Sequence, residues 1–384
     1  MQKHKIYKSV TALLLVTAFL LMSAMLFVMV GCSSETPSEQ TSIPETQAPT
    51  TETATNTTET PLAAPVEPAE PAVNTSPITV VWYPNESAND FEPAREEYGR
   101  MITEVTGREV IHRLTTDYVI AIESLASGAA DIGARWGAVG MMEAQQKNPE
   151  IMPLIVNSGP SGTLDDAVYY SWLAVNLGDE HQFASGNGFS IENIPGKKMS
   201  FVSNSSTSGF RVPSANMINF FSQTEQWSGI DEDDLLGLSR TPFFDEVLFG
   251  GSHQGTLFNL LDGRADIAAI CDTCVDSYIE IVSGTHNTVG AIYRIQEDAA
   301  DPFEDMAGKE FILIGITPVL NGPDVYNPQN LSEEEVAAIR TILTSDEVAD
   351  NPLFFGEAGD FSLLPKNGDM RFVVVENSWY DPLR

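Results

Sequence analysis

Two ten-residue segments of this chain spell the same pattern, and that repetition constrains the fold more than any other feature. Leu125 to Ala134 reads LASGAADIGA and Leu260 to Ala269 reads LLDGRADIAA, both L-x-x-G-x-A-D-I-x-A, with Asp131 and Asp266 set 135 residues apart. Each copy predicts a helix ending near its leucine, a glycine in the left-handed cap position and a short buried strand through the aspartate. Chance similarity in alanine-rich sequence is the competing explanation; a true repeat marks two α/β lobes of one plan. The flanking sequence alternates in the same sense. ITVVWYP from Ile78 reads as a strand, FEPAREEYGRMITEVTG as a helix capped by Gly107, EVIHRLT as a strand, and DYVIAIESLAS as a helix with Asp117 placed to cap it. YYSWLAVNL is an apolar strand in mid-chain, suited to crossing between lobes. IPGKKMSFVSN, FILIGITPV and the acidic-first SEEEVAAIRTILTS continue the series. Such alternation predicts an α/β fold of mostly parallel sheets flanked by helices, whose strand C-termini face a crevice.

The N-terminal segment obeys other rules. Lys3, Lys5 and Lys8 precede an almost wholly apolar run from Thr11 to Val30, long enough to span a bilayer. A basic head, an apolar run and small residues before a break read as a secretory signal; an uncleaved anchor is the alternative. Met29-Val30-Gly31-Cys32 resembles a bacterial lipoprotein box, with Met29 where leucine is usual, and implies a lipidated Cys32. The signal peptide then occupies 1–31, and the remainder is extracytoplasmic and tethered to the cell membrane. Residues 32–77 are rich in Thr, Pro and Glu with almost no large apolar side chain, so they cannot offset their ordering entropy and predict a disordered spacer. The globular part divides into a first section of lobe 1 at 78–175, lobe 2 at 176–315, and a return to lobe 1 with C-terminal helices at 316–384.

Charge narrows the partners. The formal net charge is −34, and excision of residues 1–31 deepens it to −37. That field repels nucleic acid and polyanionic surfaces, while it suits a secreted, soluble monomer. A small anion remains possible where local donors outweigh the distant field. Cys271-Asp-Thr-Cys274 has no further ligands for structural zinc elsewhere in the sequence, so no metal and no cofactor is expected. The pair forms either a small local disulfide or two half-buried thiols, and a redox-active motif would lack a thioredoxin-like setting.

Asn204 to Pro213, NSSTSGFRVP, sets three hydroxyl residues and a glycine where a strand gives way to a helix. Backbone N–H groups at a helix start are unpaired and carry partial positive charge. Ser206, Thr207 and Ser208 add hydroxyl donors there, and Gly209 admits a ligand to the backbone. Together they form an anion cradle built from neutral groups. The plainer alternative is one capping serine and turn filler. Pro213 should kink the helix after its first turns.

In order along the chain, TTDYVIAIESLASGAADI, YYSWLAV, IPGKKMSFVSNSSTSGFRVPSA, GGSHQGTLFNLLDGRADIAA and TPVLNGPDVYNPQNLS resemble the phosphate/phosphonate-binding proteins of bacterial ABC importers. The resemblance covers nearly all of 78–330 and is loose after Leu331. It implies a periplasmic-binding-protein type II fold, two lobes with a hinge closing on a tetrahedral oxyanion. By it, Ser206, Thr207 and Ser208 hold the anionic oxygens and His253 donates from the same lobe, while Tyr118 and Tyr169 reach across from the other. Residue by residue, Tyr118 at a helix start also reads as a packing aromatic, and His253 as a loop histidine. Tyr169 and Tyr170 alternate, so one faces the crevice. A charged imidazole would donate twice and strengthen capture below its pKa. Relatives that select aminoalkyl phosphonates hold the ammonium with carboxylates; here Asp272 and Asp324 are the nearest candidates, and equally ordinary loop acids. Arg135 is unusual at its position, offering an inward fork for an oxyanion or an outward solvated charge.

The resulting expectation is a solute-binding lipoprotein, not an enzyme, that delivers phosphonate, phosphate or phosphite to ABC permease subunits. A carboxylate in the cleft would favour a protonated oxyanion over sulfate. A surface sensor of the same fold is the alternative; a serine hydrolase is less favoured, because no G-x-S-x-G elbow surrounds Ser206 or Ser208.

Overall fold

The computed structural model describes residues 74–384 except 87, 187, 240 and 241. The expected signal segment 1–31, Cys32 and nearly all of the spacer at 32–77 lie outside the described residues. Among the described residues no helix is long and apolar enough to cross a membrane.

The chain opens with β1 (Ile78–Trp82), α1 (Glu92–Thr106), β2 (Val110–Leu114), α2 (Tyr118–Ala126), β3 (Ile132–Ala134), α3 (Ala138–Lys147) and β4 (Met152–Asn157). Local chemistry sets these boundaries. Gly107 ends α1 at φ 69°, and the Asp117 carboxylate caps α2 by accepting from Val119 N at 2.7 Å. Then come β5 (Val168–Asn176), β6 (Lys198–Phe201), a π-helical turn at Thr207–Arg211 running into α4 (Val212–Phe221), β7 (Glu246–Phe249), α5 (His253–Leu261), β8 (Ile267–Cys271), β9 (Ile279–Ser283), β10 (Ile292–Ile295) and β11 (Glu310–Leu320). β12 (Pro323–Tyr326), α6 (Glu333–Leu343) and β13 (Phe372–Val373) complete the main elements. Pro213 follows directly on that π-helical turn, and the carbonyl its missing N–H leaves free, Gly209 O, accepts instead from Val202 N at 3.1 Å.

Two sheets result, one of six strands in the order β13-β4-β12-β3-β1-β2 and one of seven in the order β9-β10-β11-β5-β8-β6-β7. Both are covered on two faces. Successive residues of β1 point to opposite cores, Val81 packing with Leu125 and Trp136, and Trp82 with Tyr98 and Leu154. The second sheet has Trp172, Ile270 and Leu313 on one face and Phe201, Phe210 and Ile312 on the other.

The repeated signature performs one task twice. Gly128 and Gly263 both turn the chain at positive φ, 78° and 74°. Asp131 N donates to Thr79 O at 2.9 Å while its Oδ2 accepts from Thr79 N at 2.6 Å. Asp266 N donates to Lys198 O and its Oδ2 accepts from Lys198 N, both at 2.8 Å. Each aspartate thus clips the start of the neighbouring strand, and β3 runs parallel to β1 as β8 does to β6.

Pairing in each sheet is mixed rather than mostly parallel. Parallel pairs join β1 to β2 and β3, and β6 to β7 and β8, while the crossing strands enter antiparallel. β5 and β11 pair antiparallel from Val168↔Leu320 to Asn176↔Phe311, so β5 lies wholly in the second sheet. The chain therefore leaves the first sheet within 158–167, ahead of the boundary expected at 175, and returns at Asn321–Gly322, after the one expected at 316. Apolar text marks a strand as buried without saying which sheet buries it.

The two aspartate clips differ in burial, Asp131 being 8% exposed and Asp266 exposed. Replacing each by alanine should therefore have unequal effects. Urea unfolding is expected to show Asp131→Ala destabilised by about 1–3 kcal/mol and Asp266→Ala by about 0.5–1.5 kcal/mol.

Candidate functional site

Four helices begin at one cavity of about 60 Å³ between the sheets. Tyr118 opens α2, Gly137 is the N-cap of α3, Ser206 and Thr207 open the π-turn that leads into α4, and His253 opens α5; all line the cavity. Each helix start brings unpaired N–H groups and the positive end of its dipole. Cationic side chains are nearly absent: among the described residues Arg135 is the single Lys or Arg in the lining.

The hydroxyl row is buried and faces this space. Ser206, Thr207 and Ser208 are each 2–3% exposed. Ser206 Oγ accepts from Gly209 N at 3.1 Å, the ordinary N-cap bond. Thr207 works in the opposite direction. Its Oγ1 accepts from Val139 N at 3.0 Å, capping α3, whose own N-cap, Gly137, has no side chain to do so. A hydroxyl on the second sheet's side thereby closes a helix of the first. Gly209 does not line the cavity; a Cβ there would lie 2.3 Å from Val202 Cγ2, so the glycine serves packing of the turn on its strand rather than ligand approach.

Tyr118 and Tyr169 both line the cavity, and burial raises the pKa of each phenol, keeping it a donor. Ser206 acts on the Tyr118 phenol, and Ser208 and Thr207 on that of Tyr169, each offsetting part of the rise. Tyr169 lies on β5, so it approaches from the hydroxyls' own sheet and not from across the cleft. Tyr170 packs in the core of that sheet.

His253 is 3% exposed, and its Nδ1 accepts from Cys271 N at 3.0 Å. That bond puts the proton on Nε2, leaving one donor. Burial pushes its pKa down to about 3, so the doubly donating imidazolium anticipated from sequence does not form near neutral pH. Cys271 and Cys274 are joined in a disulfide that forms part of the wall. With His253 they lie within 4.8 Å of one another, a metal-ligand grouping in which the sulfurs are bonded to each other instead.

Arg135 stands at φ 60°, in the left-handed region, and lines the cavity with its Nε buried and without a hydrogen-bond partner. Asp324 holds it there. Its Oδ1 accepts from Arg135 N at 2.7 Å and its Oδ2 from the Tyr98 hydroxyl at 2.8 Å. Asp272 accepts from Tyr170 N at 2.9 Å and from Asn287 Nδ2 at 3.0 Å. Neither aspartate lines the cavity, so neither is placed to hold a ligand ammonium; each is engaged by a backbone amide and a side chain.

Sequence reasoning missed the loop after β1. Asn85 bridges the sheets: its Nδ2 donates to the Tyr118 hydroxyl at 2.8 Å, while its Oδ1 accepts from His253 N at 3.1 Å and its backbone O from Gln254 Nε2 at 3.2 Å. Glu86 follows it into the lining, with Oε2 buried and unpartnered. Burial pushes its pKa up to about 7, against the attraction of Arg135. The available signal was position, since polar residues at the C-terminal end of a parallel strand face the crevice. Trp136 stacks on Tyr83, and Tyr83 on Tyr118, walling one side with aromatic faces.

Two mixed sheets joined by crossing strands, with a polar cavity at the junction, define a two-lobed binding protein of the periplasmic type II class. The chain belongs to the family described as ABC transporter, phosphonate, periplasmic substrate-binding protein, whose model matches residues 80–380. That family is one of substrate-binding components of transporters rather than of enzymes. The phosphate-import protein PhnD of Mycolicibacterium smegmatis is 26% identical over 199 residues, 52% of this chain and 56% of that protein, so the match spans little more than half of the relative. The fold is similar to that of PhnD1 from Prochlorococcus marinus, solved with methylphosphonate, at TM-score 0.55 and 15% identity over 81% of this chain and 96% of that one. A binding protein component of an ABC phosphonate transporter from Pseudomonas aeruginosa gives TM-score 0.55 and 17% identity over 81% and 85% of the two chains.

The two shifted groups act on stability from opposite sides. Glu86 has its folded pKa raised, so its contribution is full below its ordinary 4.5 and is lost as pH rises through about 7. His253 has its folded pKa depressed, so stability is full above its ordinary 6.5 and is lost as pH falls toward about 3. The two windows overlap with opposite signs, so thermal melts of the wild type should be nearly flat where they coincide, and Glu86→Gln should uncover a loss of stability there as pH falls.

Proposed function

We propose that this protein is an extracytoplasmic lipoprotein that captures a small tetrahedral oxyanion, phosphate, phosphonate or phosphite, and presents it to ABC permease subunits. The observation that carries the reading is the convergence of four helix starts and their hydroxyls on one small cavity. Ser206, Thr207, Ser208, Tyr118, Tyr169, the Nε2 proton of His253 and Arg135 supply the donors. At about 10–15 Å³ per water-sized position, the cavity accepts about five non-hydrogen atoms, which suits an oxyanion with at most a methyl group. The name of the mycolicibacterial relative, a phosphate-import protein, and the methylphosphonate in the cyanobacterial structure favour the same class. The two lobes hinge at 158–167 and Asn321–Gly322; residues 1–31 are removed, Cys32 carries the lipid, and 32–77 gives reach from the membrane.

Closure brings Gly137 onto Thr207. The glycine backbone, at φ −80°, suits any residue, but an added Cβ would lie 2.5 Å from Thr207 Oγ1. A thermal-shift screen with phosphate, phosphite and methylphosphonate should stabilise the wild type and change the emission of Trp136. Gly137→Ala should weaken the best ligand by about 10–100-fold while leaving the melting point without ligand nearly unchanged. No stabilisation by any of the three anions would refute the substrate class.

A further inference from the structure

Donors crowd this cavity, and against them stands one acidic acceptor. Among the described residues Glu86 is the single carboxylate in the lining, 7% exposed, with Oε2 sealed from solvent and lacking a partner. A buried acceptor is costly until a donor reaches it. The ionised oxygens of an anion are acceptors too; among small oxyanions only an O–H can satisfy Glu86. Arg135, with its own unpartnered Nε, is the largest charge acting on the carboxylate and lines the same space.

We propose that Glu86 reads the proton of the guest: its Oε2 accepts a hydrogen bond from an O–H of the oxyanion, while Arg135 and the helix starts hold the ionised oxygens. The inference rests on the oxyanion reading above and narrows it to anions that still carry an O–H. At about pH 8 inorganic phosphate keeps one such proton, an alkylphosphonate is divided between forms with and without its last, phosphite has largely lost its last, and sulfate has none. In mildly alkaline surroundings the site therefore favours phosphate over phosphite and sulfate.

Other groups bear on the same carboxylate. Arg135 and Arg95 favour its charge, Asp324 opposes it, and Tyr83, Tyr118 and Tyr278 around it are kept protonated by burial. Desolvation outweighs the arginines, and Glu86 keeps its own proton up to about 7. Below that it is a donor, and the rule inverts: sulfate becomes acceptable. His253 stays neutral across this range and adds no step of its own.

Calorimetric titration of the full-length protein with phosphate, methylphosphonate and sulfate at about pH 8 and about pH 6 tests this. Phosphate should bind at least about tenfold tighter than sulfate at the higher pH, and sulfate should gain about tenfold at the lower. Glu86→Gln, whose amide both donates and accepts, should take sulfate at both pH values and lose the step. Wild-type protein that binds sulfate as tightly as phosphate at about pH 8 overturns the inference and leaves the oxyanion reading standing. The same holds if Glu86→Gln keeps the wild-type ratio. Binding of none of the three anions overturns the oxyanion reading itself, so the two failures are told apart, and the wild-type arm needs no variant to fold.

Discussion

The constraint on which the site depends is electrostatic and local. On the proposed reading, a chain of net charge −34 has to make one small volume attractive to an anion. It does so with backbone dipoles, whose influence fades within a helical turn, set where distant carboxylates are screened over about 8–10 Å. Four helix starts and a row of hydroxyls require no compensating acid and carry little desolvation cost. Much of the scaffold exists to aim them. The paired aspartates fix strand starts, and the parallel three-strand blocks set their helices at the same end of each sheet. Asp324, far from being a contact, holds the arginine's strained backbone.

Much of this was legible in the text of the chain. The repeated decapeptide foretold two equivalent units because its parts each have a backbone reason: a left-handed glycine and an aspartate able to clip a neighbouring strand in both directions. The helix cap at Asp117 was equally plain, whereas which serine of the row caps its helix was not. The burial and convergence of Ser206, Thr207 and Ser208 followed from their place between strand and helix.

What escaped was relational. YYSWLAVNL reads as a crossing strand, yet its sheet is decided by pairing with Glu310–Leu320, far along the chain. Tyr169 was therefore assigned to the wrong side of the cleft. Gly209 invited a ligand-approach explanation, but the neighbour that forbids a side chain there is Val202. Asp272 and Asp324 carry the right chemistry for holding an amine and are already engaged with amides. Glu86 went unnoticed for the converse reason, since a single acid after a strand has no pattern until the lining around it is known.

Thr207 ties the last threads together. It is a hydroxyl from one half of the molecule that completes a helix in the other, sealing Val139 N from bulk solvent. Any separation of the two sheets would hand that amide, and the atoms of Asn85 that bridge the gap, to water. A small shell of hydration is therefore what divides this arrangement from a more open one, and excluded solutes would favour the arrangement seen here.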